Sequence, residues 1–349
     1  IAPSGQEQPM VKYLLDFAQS RGISCSEDEA GKMNGSEAGN VIMTYGDGGT
    51  TLFLAHMDTA RSTSNLKPVF LDDRITSDGT TVLGVDNRVG ITALLTALDM
   101  LVSSKTSGPG FTIVFTICEE SSLAGSNFLQ LPESIKQGYA FDSSYRPGTY
   151  IHQAPGAMYF DVEVIGKASH SGIAPEAGIN ALQLAARAIA DLPLGRIDEN
   201  STMNVGPFSS RAATNVVPPR VNFKGEFRST TTKQVEDLDN FIQNHFSESL
   251  KNTGATFSYN SAWDFHPYTI KDNAPIRQRL ENAIKAIGLT PVALPSSGGS
   301  DVNVLNGKGI PSINLGVGAQ NPHSNEEYVM YEDLINTTKI ALELMQNEN

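Results

Sequence analysis

Phe111-Thr112-Ile113-Val114-Phe115-Thr116-Ile117-Cys118-Glu119-Glu120 is an apolar, β-branched run that ends on two adjacent carboxylates. Eight residues with no polar alternation suit a strand buried on both faces, as in the middle of a parallel sheet. Upstream, Val41–Tyr45 and Thr51–Ala55 are two further apolar strands. Gly46-Asp47-Gly48-Gly49 separates them and reads as a hairpin turn. Helical periodicity covers Pro9 to Ser20, where Val11, Leu14, Leu15 and Ala18 share a face, and again Asn87 to Val102. Ser77-Asp78-Gly79-Thr80 is a turn, Ser126–Leu131 a short helix, and Tyr139–Phe141 another buried strand. Helices alternating with buried strands predict an α/β domain with a mainly parallel central sheet.

From Ala157 the pattern changes. Met158, Phe160, Val162 and Val164 alternate with Tyr159, Asp161 and Glu163, which makes a strand with one wet face. A helix is expected at Glu176–Leu192, strands at Ser201–Gly206 and Val221–Phe227, a helix at Thr232–Leu250 and a strand at Ala255–Ala262. The order β-α-β-β-α-β is the ferredoxin-like split unit, complete in itself and able to be inserted. The α/β pattern then resumes, with helices at Ala274–Ile287 and Glu332–Gln346 and strands at Val292–Leu294 and Pro311–Leu315. The expected organisation is an α/β domain over 1–154 and 264–349, interrupted by an α+β domain over 155–263.

The chain has 349 residues and a formal net charge of −13, which opposes a nucleic-acid or anionic-membrane partner. No stretch approaches the ~18 apolar residues of a membrane span. Cys25 and Cys118 are too few for a disulfide framework and fit a reducing, cytoplasmic compartment. No signal peptide is visible, although a chain starting at Ile1 leaves a trimmed leader open.

Ligands of open α/β sheets bind at the carboxyl ends of the strands. Those ends carry His56-Met57-Asp58, Glu119-Glu120, Asp142 and, past Leu315, His323; Asp86 precedes the long helix. Each has an ordinary explanation. Asp86 alone is a helix N-cap, Asp58 and Asp142 cap turns, and a lone His is a satisfied hydrogen-bonder. A metal site explains the whole set with one cause. Imidazole and carboxylate together suit Zn²⁺, with Mn²⁺ or Co²⁺ as substitutes. Two His and the carboxylates of Asp86, Glu120 and Asp142 are too many ligands, and too much negative charge, for one tetrahedral ion. Two ions fit, with Asp86 bridging. Glu119 is then free to act as general base, and Asp58 can orient the His56 imidazole.

Three motifs in this order resemble the co-catalytic zinc peptidases of metallopeptidase family twenty. Ala55-His56-Met57-Asp58-Thr59 is similar to their H-x-D motif, Gly84-Val85-Asp86-Asn87 to G-x-D-[DN], and Glu119-Glu120 with Gly125-Ser126 to E-E-x-x-x-x-G-[SA]. The inserted domain is also a family feature, so the resemblance spans essentially the whole chain. It implies one zinc on His56, Asp86 and Asp142, a second on Asp86, Glu120 and His323, and Glu119 as base. In the insert, Gly166 to Ala181 resembles G-x-x-x-H-x-G-x-x-P-x-x-G-x-N-A, which implies that His170 stabilises the oxyanion when the lid closes. Arg228 matches an arginine that grips a substrate carboxylate, Asn204 is its companion, and Gly299 belongs to a loop near the substrate.

Asp142, where other members carry Glu, points within the family to the peptidase T-like aminopeptidases acting on short peptides, tripeptides among them. The filling Ser121-Ser122-Leu123-Ala124 departs from that pattern. An N-acyl amino acid deacylase or carboxypeptidase of the same family is the alternative, and a non-catalytic metal- or peptide-binding module a third. The resemblance further implies a homodimer paired through the insert, in which His170 can serve a neighbouring subunit.

Overall fold

The computed structural model describes residues 2–104 and 108–347. The chain divides into two compact units, Ile1–Gln153 with Thr269–Asn349, and Ala154–Tyr268.

The first unit is built on a nine-stranded mixed sheet. Its centre is parallel: Phe111–Thr116, Thr51–His56, Gln137–Ser143 and Ser312–Gly316 lie side by side in that order. Val41–Tyr45 and then Ser24–Glu27 extend one side antiparallel, and Thr149–Ala154 runs antiparallel on the other. Every residue of Thr51–His56 and Phe111–Thr116 is buried, as their unbroken apolar runs require. Phe53 is the hub, edge-on to Phe111 at 5.4 Å and stacked with Tyr139 at 6.0 Å. The helix Val85–Ser104 buries Val89, Leu94, Leu98 and Leu101.

The expected hairpin is corrected. Val41–Tyr45 and Thr51–His56 are not partners, because Phe111–Thr116 lies between them and pairs with both. An apolar strand with two buried faces is best covered when neighbours also satisfy both of its edges. The glycine loop arches over that intervening strand instead of folding back. Gly49 has φ +51°, and a Cβ there would meet the Gly110 carbonyl oxygen at 1.8 Å. Thr112 Oγ1 donates to the Gly48 carbonyl at 3.1 Å. A small sheet of Pro68–Phe70, Arg74–Ser77 and Tyr328–Met330 ties the chain's early and late segments together.

The second unit is a five-stranded antiparallel sheet with Gly156–Ile165 between Arg220–Ser229 and Thr256–Phe265. Thr202–Ser209 pairs with the far edge of Arg220–Ser229. Helices Ala181–Ala190 and Thr232–Leu250 cover one face around Phe160, Phe223, Phe227, Ile242 and Phe246. The first helix starts later than Glu176. Pro175–Ala177 forms a separate 3₁₀ turn, and the Asn180 side chain accepts the Gln183 N–H as the N-cap.

Candidate metal centre

The parallel strands deliver the first ligands. His56 closes its strand opposite Thr116. On the other side Leu54 pairs with Ala140, so two residues on, His56 faces Asp142. His56 Nε2 lies 3.1 Å from Asp142 Oδ1 and 3.0 Å from Asp86 Oδ1. Its Nδ1 lies 3.3 Å from Asp58 Oδ1 and 3.1 Å from the Asp58 carbonyl oxygen. Asn314 Nδ2 donates to Asp142 Oδ2 at 2.9 Å and Asn87 Nδ2 to Oδ1 at 3.3 Å, which fixes that carboxylate.

Asp86 is not the helix cap. Asp86 and Asn87 have non-helical backbone angles and are joined by a cis peptide. Asn87 Oδ1 accepts the Gly90 N–H at 3.0 Å and caps the helix, which leaves the Asp86 carboxylate free. One Asp86 oxygen faces His56; the other lies 3.5 Å from His323 Nε2, which is 3.0 Å from Glu120 Oε2. Two trios of potential ligand atoms therefore share Asp86: His56, Asp86 and Asp142, and Asp86, Glu120 and His323, each trio within 4.8 Å.

Cys118, at φ +52°, turns the chain out of its strand so that Glu119 and Glu120 open the helix Glu119–Ser122. Their N–H groups donate to the two oxygens of Asp58 at 3.1 and 3.2 Å, and Ser4 Oγ donates to the same carboxylate at 2.6 Å. Asp58 thus connects the His56 ring to the Glu119 backbone.

The electrostatics of the cluster follow from crowding. Burial works against a charged His56, but the carboxylates of Asp142, Asp58 and Asp86 outweigh it and hold its pKa well above the usual imidazole range. Hydrogen bonding to Asp86 lifts His323 to about 9. Burial likewise opposes ionisation of Asp86, yet His323 and His56 bring it to about 2. Burial, then the Asp86 charge, pushes Glu120 up to about 7, and burial first of all raises Glu119 well above the carboxylate range. Glu120 Oε1 is buried with no hydrogen-bond partner. An orphaned acceptor among converging carboxylates, with nitrogen and oxygen donors only, fits a divalent cation.

The other sequence-derived candidates fall elsewhere. His170 is exposed in the second unit, beside a bridge to Val216, with Nδ1 accepting the Gly172 N–H at 3.2 Å. Arg228 is half-buried on Arg220–Ser229, and its fork is taken by Glu226 at 3.0 and 3.2 Å. Asn204 pairs across strands with Glu226, so Asn204, Glu226 and Arg228 share one sheet face. Gly299 precedes Ser300, the N-cap of Asp301–Gly307, and Asn314 reaches both Ser300 and Asp142.

Sequence reasoning missed Ser4, Asn314 and Glu7. Asn314 had a signal, a polar residue inside the buried strand Ser312–Gly316. Glu7 is wholly buried; its carboxylate accepts the Cys118 N–H at 3.0 Å and the Gly5 N–H at 2.9 Å. Nothing in its local sequence marks it.

Residues 153–254 match the model of a peptidase dimerisation domain. The uncharacterized protein YqjE of Bacillus subtilis is 31% identical over 97% of this chain and 93% of its own length. The aminopeptidase PepT of Bacillus cereus superimposes with a TM-score of 0.89 at 32% identity, covering 99% of this chain and 94% of that one. A tripeptidase of Staphylococcus aureus gives 0.90 at 30% identity with the same coverage. Near-complete coverage at this identity extends the likeness across both units, and the chain belongs to the peptidase T-like branch of the M20 peptidases.

Proposed function

We propose that this chain is a di-zinc aminopeptidase that releases the N-terminal residue of short peptides, tripeptides included. The observation that carries the reading is the pair of ligand trios sharing Asp86. His56, Asp86 and Asp142 would hold one cation, and Asp86, Glu120 and His323 the other. Bound there, the ions would supply Lewis-acid polarisation of a carbonyl and lower the pKa of water. The names of the similar structures, an aminopeptidase and a tripeptidase, support the substrate class.

The side chains divide the remaining work. Asp58 holds the His56 ring so that Nε2 faces the ligand carboxylates. Glu119 takes the proton of the attacking water as the water oxygen bonds to the scissile carbon. It returns that proton to the departing amine as the C–N bond breaks. His170 is assigned to the carbonyl oxygen as it gains charge, and Arg228, with Asn204, to the peptide carboxylate. Gly299 lets backbone approach the substrate.

Two unpaired thiols, Cys25 and Cys118, support a cytoplasmic location. Among the described residues no helix is long and apolar enough to cross a membrane. The dimerisation-domain match supports pairing through the second unit.

Metal analysis of the purified protein, joined to hydrolysis of tripeptides with free or acetylated N-termini, tests the reading. Two ions per chain and faster cleavage of the free peptides are expected. Faster cleavage of the acetylated set would transfer the enzyme to the deacylases, and a metal-loaded protein inert on both sets would leave only a binding module.

A further inference from the structure

Glu327 lies four residues beyond His323 and is only 2% exposed. Among the described residues no Lys, Arg or His forms an ion pair with it. Its carboxyl group is instead spent on three backbone N–H groups. Oε2 accepts from Gly84 at 2.5 Å and from Val85 at 3.4 Å, and Oε1 accepts from His323 at 2.8 Å. Gly84 and Val85 are the residues immediately before Asp86. One buried side chain therefore grips the two segments, some 240 positions apart, that supply the shared carboxylate and its imidazole neighbour.

Both segments need such a grip. His323 has φ +65°, the left-handed region that residues with a Cβ avoid, and the N–H held by Glu327 belongs to that residue. Gly84 has φ +75°, and a Cβ there would press on the methyl groups of Thr59 and Thr63 at 3.2 Å. Glu327 is itself anchored: Thr76 Oγ1 donates to its carbonyl at 2.9 Å, and the next residue, Tyr328, pairs with Thr76 in the small sheet.

We infer that Glu327 is a positioning residue for the metal centre, setting the separation of Asp86 and His323 before any ion arrives. The inference rests on the metal-centre reading above. Both of its oxygens accept hydrogen bonds, which a carboxamide cannot reproduce, since its NH₂ would face an N–H.

The test is titration of metal-free protein with Co²⁺ and Zn²⁺, using wild type, Glu327→Gln and Thr76→Val, with the Co²⁺ visible spectrum and thermal unfolding recorded for each. Glu327→Gln is expected to fold, to bind the ion at Asp86, Glu120 and His323 about 10–100-fold more weakly, and to shift the Co²⁺ spectrum. Thr76→Val, which removes the hydrogen bond to the Glu327 carbonyl but leaves its carboxylate, should weaken the same ion less than Glu327→Gln does. Unchanged affinities and spectrum in Glu327→Gln would overturn the inference while leaving the metal centre intact. If Glu327→Gln does not fold, Glu327→Asp takes its place, retaining the acceptors but withdrawing them by one methylene, and the same loss is expected. Failure of both to fold would make Glu327 a fold residue and end the inference. A wild-type protein that takes up neither ion would overturn the metal-centre reading and this inference with it.

Discussion

Nδ1 of the His56 imidazole lies 3.3 Å from Oδ1 of Asp58, which directs Nε2 at the carboxylates of Asp86 and Asp142. Asp58 also accepts the N–H groups of Glu119 and Glu120, so an amide in its place loses acceptors on two sides. Asp58→Asn is expected to weaken metal affinity about 10–100-fold and to lower kcat. Metal titration and steady-state kinetics check this. Affinity equal to wild type would mean that the Asp58 carbonyl, 3.1 Å from Nδ1, orients the ring by itself.

Glu119 belongs to neither ligand trio. Glu119→Gln should keep both ions and lose about 10²–10⁴-fold in kcat, the range for a removed general base. Single-turnover hydrolysis of a tripeptide by the metal-loaded variant provides the measurement. Full activity would remove Glu119 from the mechanism.

Asp86 is common to both trios, whereas Asp142 and His323 each serve one. Asp86→Ala should therefore empty both positions, while Asp142→Ala and His323→Ala should each retain one ion. Elemental analysis after dialysis distinguishes these outcomes, and an Asp86→Ala protein that holds two ions would refute the sharing.

Cations that bind only the folded chain stabilise it, by about 2.7 kcal/mol when free metal is a hundred times Kd. Chelation should lower the midpoint of thermal unfolding, and added Zn²⁺ should restore it. The sign follows from the crowding of Asp86, Glu120 and Asp142, which without a cation rely on His56 and His323 for compensation. A midpoint indifferent to chelator would contradict tight binding.

The Arg228 fork is already engaged by Glu226. On the proposed role of Arg228, a substrate carboxylate would have to compete with that partner. Arg228→Ala should raise KM for peptides with a free C-terminus more than it lowers kcat, with little effect on C-terminal amides. Glu226→Gln should lower KM for the free acids. Equal KM changes for acid and amide would detach Arg228 from carboxylate recognition.

The parallel centre of the sheet was legible because Phe111–Cys118 and Thr51–Ala55 are apolar without alternation, a pattern few other environments produce. His56, Glu119, Glu120 and Asp142 were legible because they punctuate such runs. Strand order was not. Gly46–Gly49 has the composition of a hairpin, and only the need to cover Phe111–Thr116 on both edges decides that it arches over that strand. Local sequence offers Asp86 as a helix cap, and only the hydrogen bond from Gly90 shows that Asn87 takes that part. Glu7 and Glu327 escaped because their role consists of backbone donors brought from distant segments, which leave no mark on the residues beside them.

His56 and Asp142 stand on adjacent parallel strands in matched register, and Glu119 follows the strand on the other side of His56. The interstrand repeat of about 4.8 Å is thus the ruler of this centre. It cannot be lengthened or shortened by a substitution, because a one-residue slip would turn every buried side chain of the strand to the opposite face. The dimensions of the cluster are therefore inherited from the sheet.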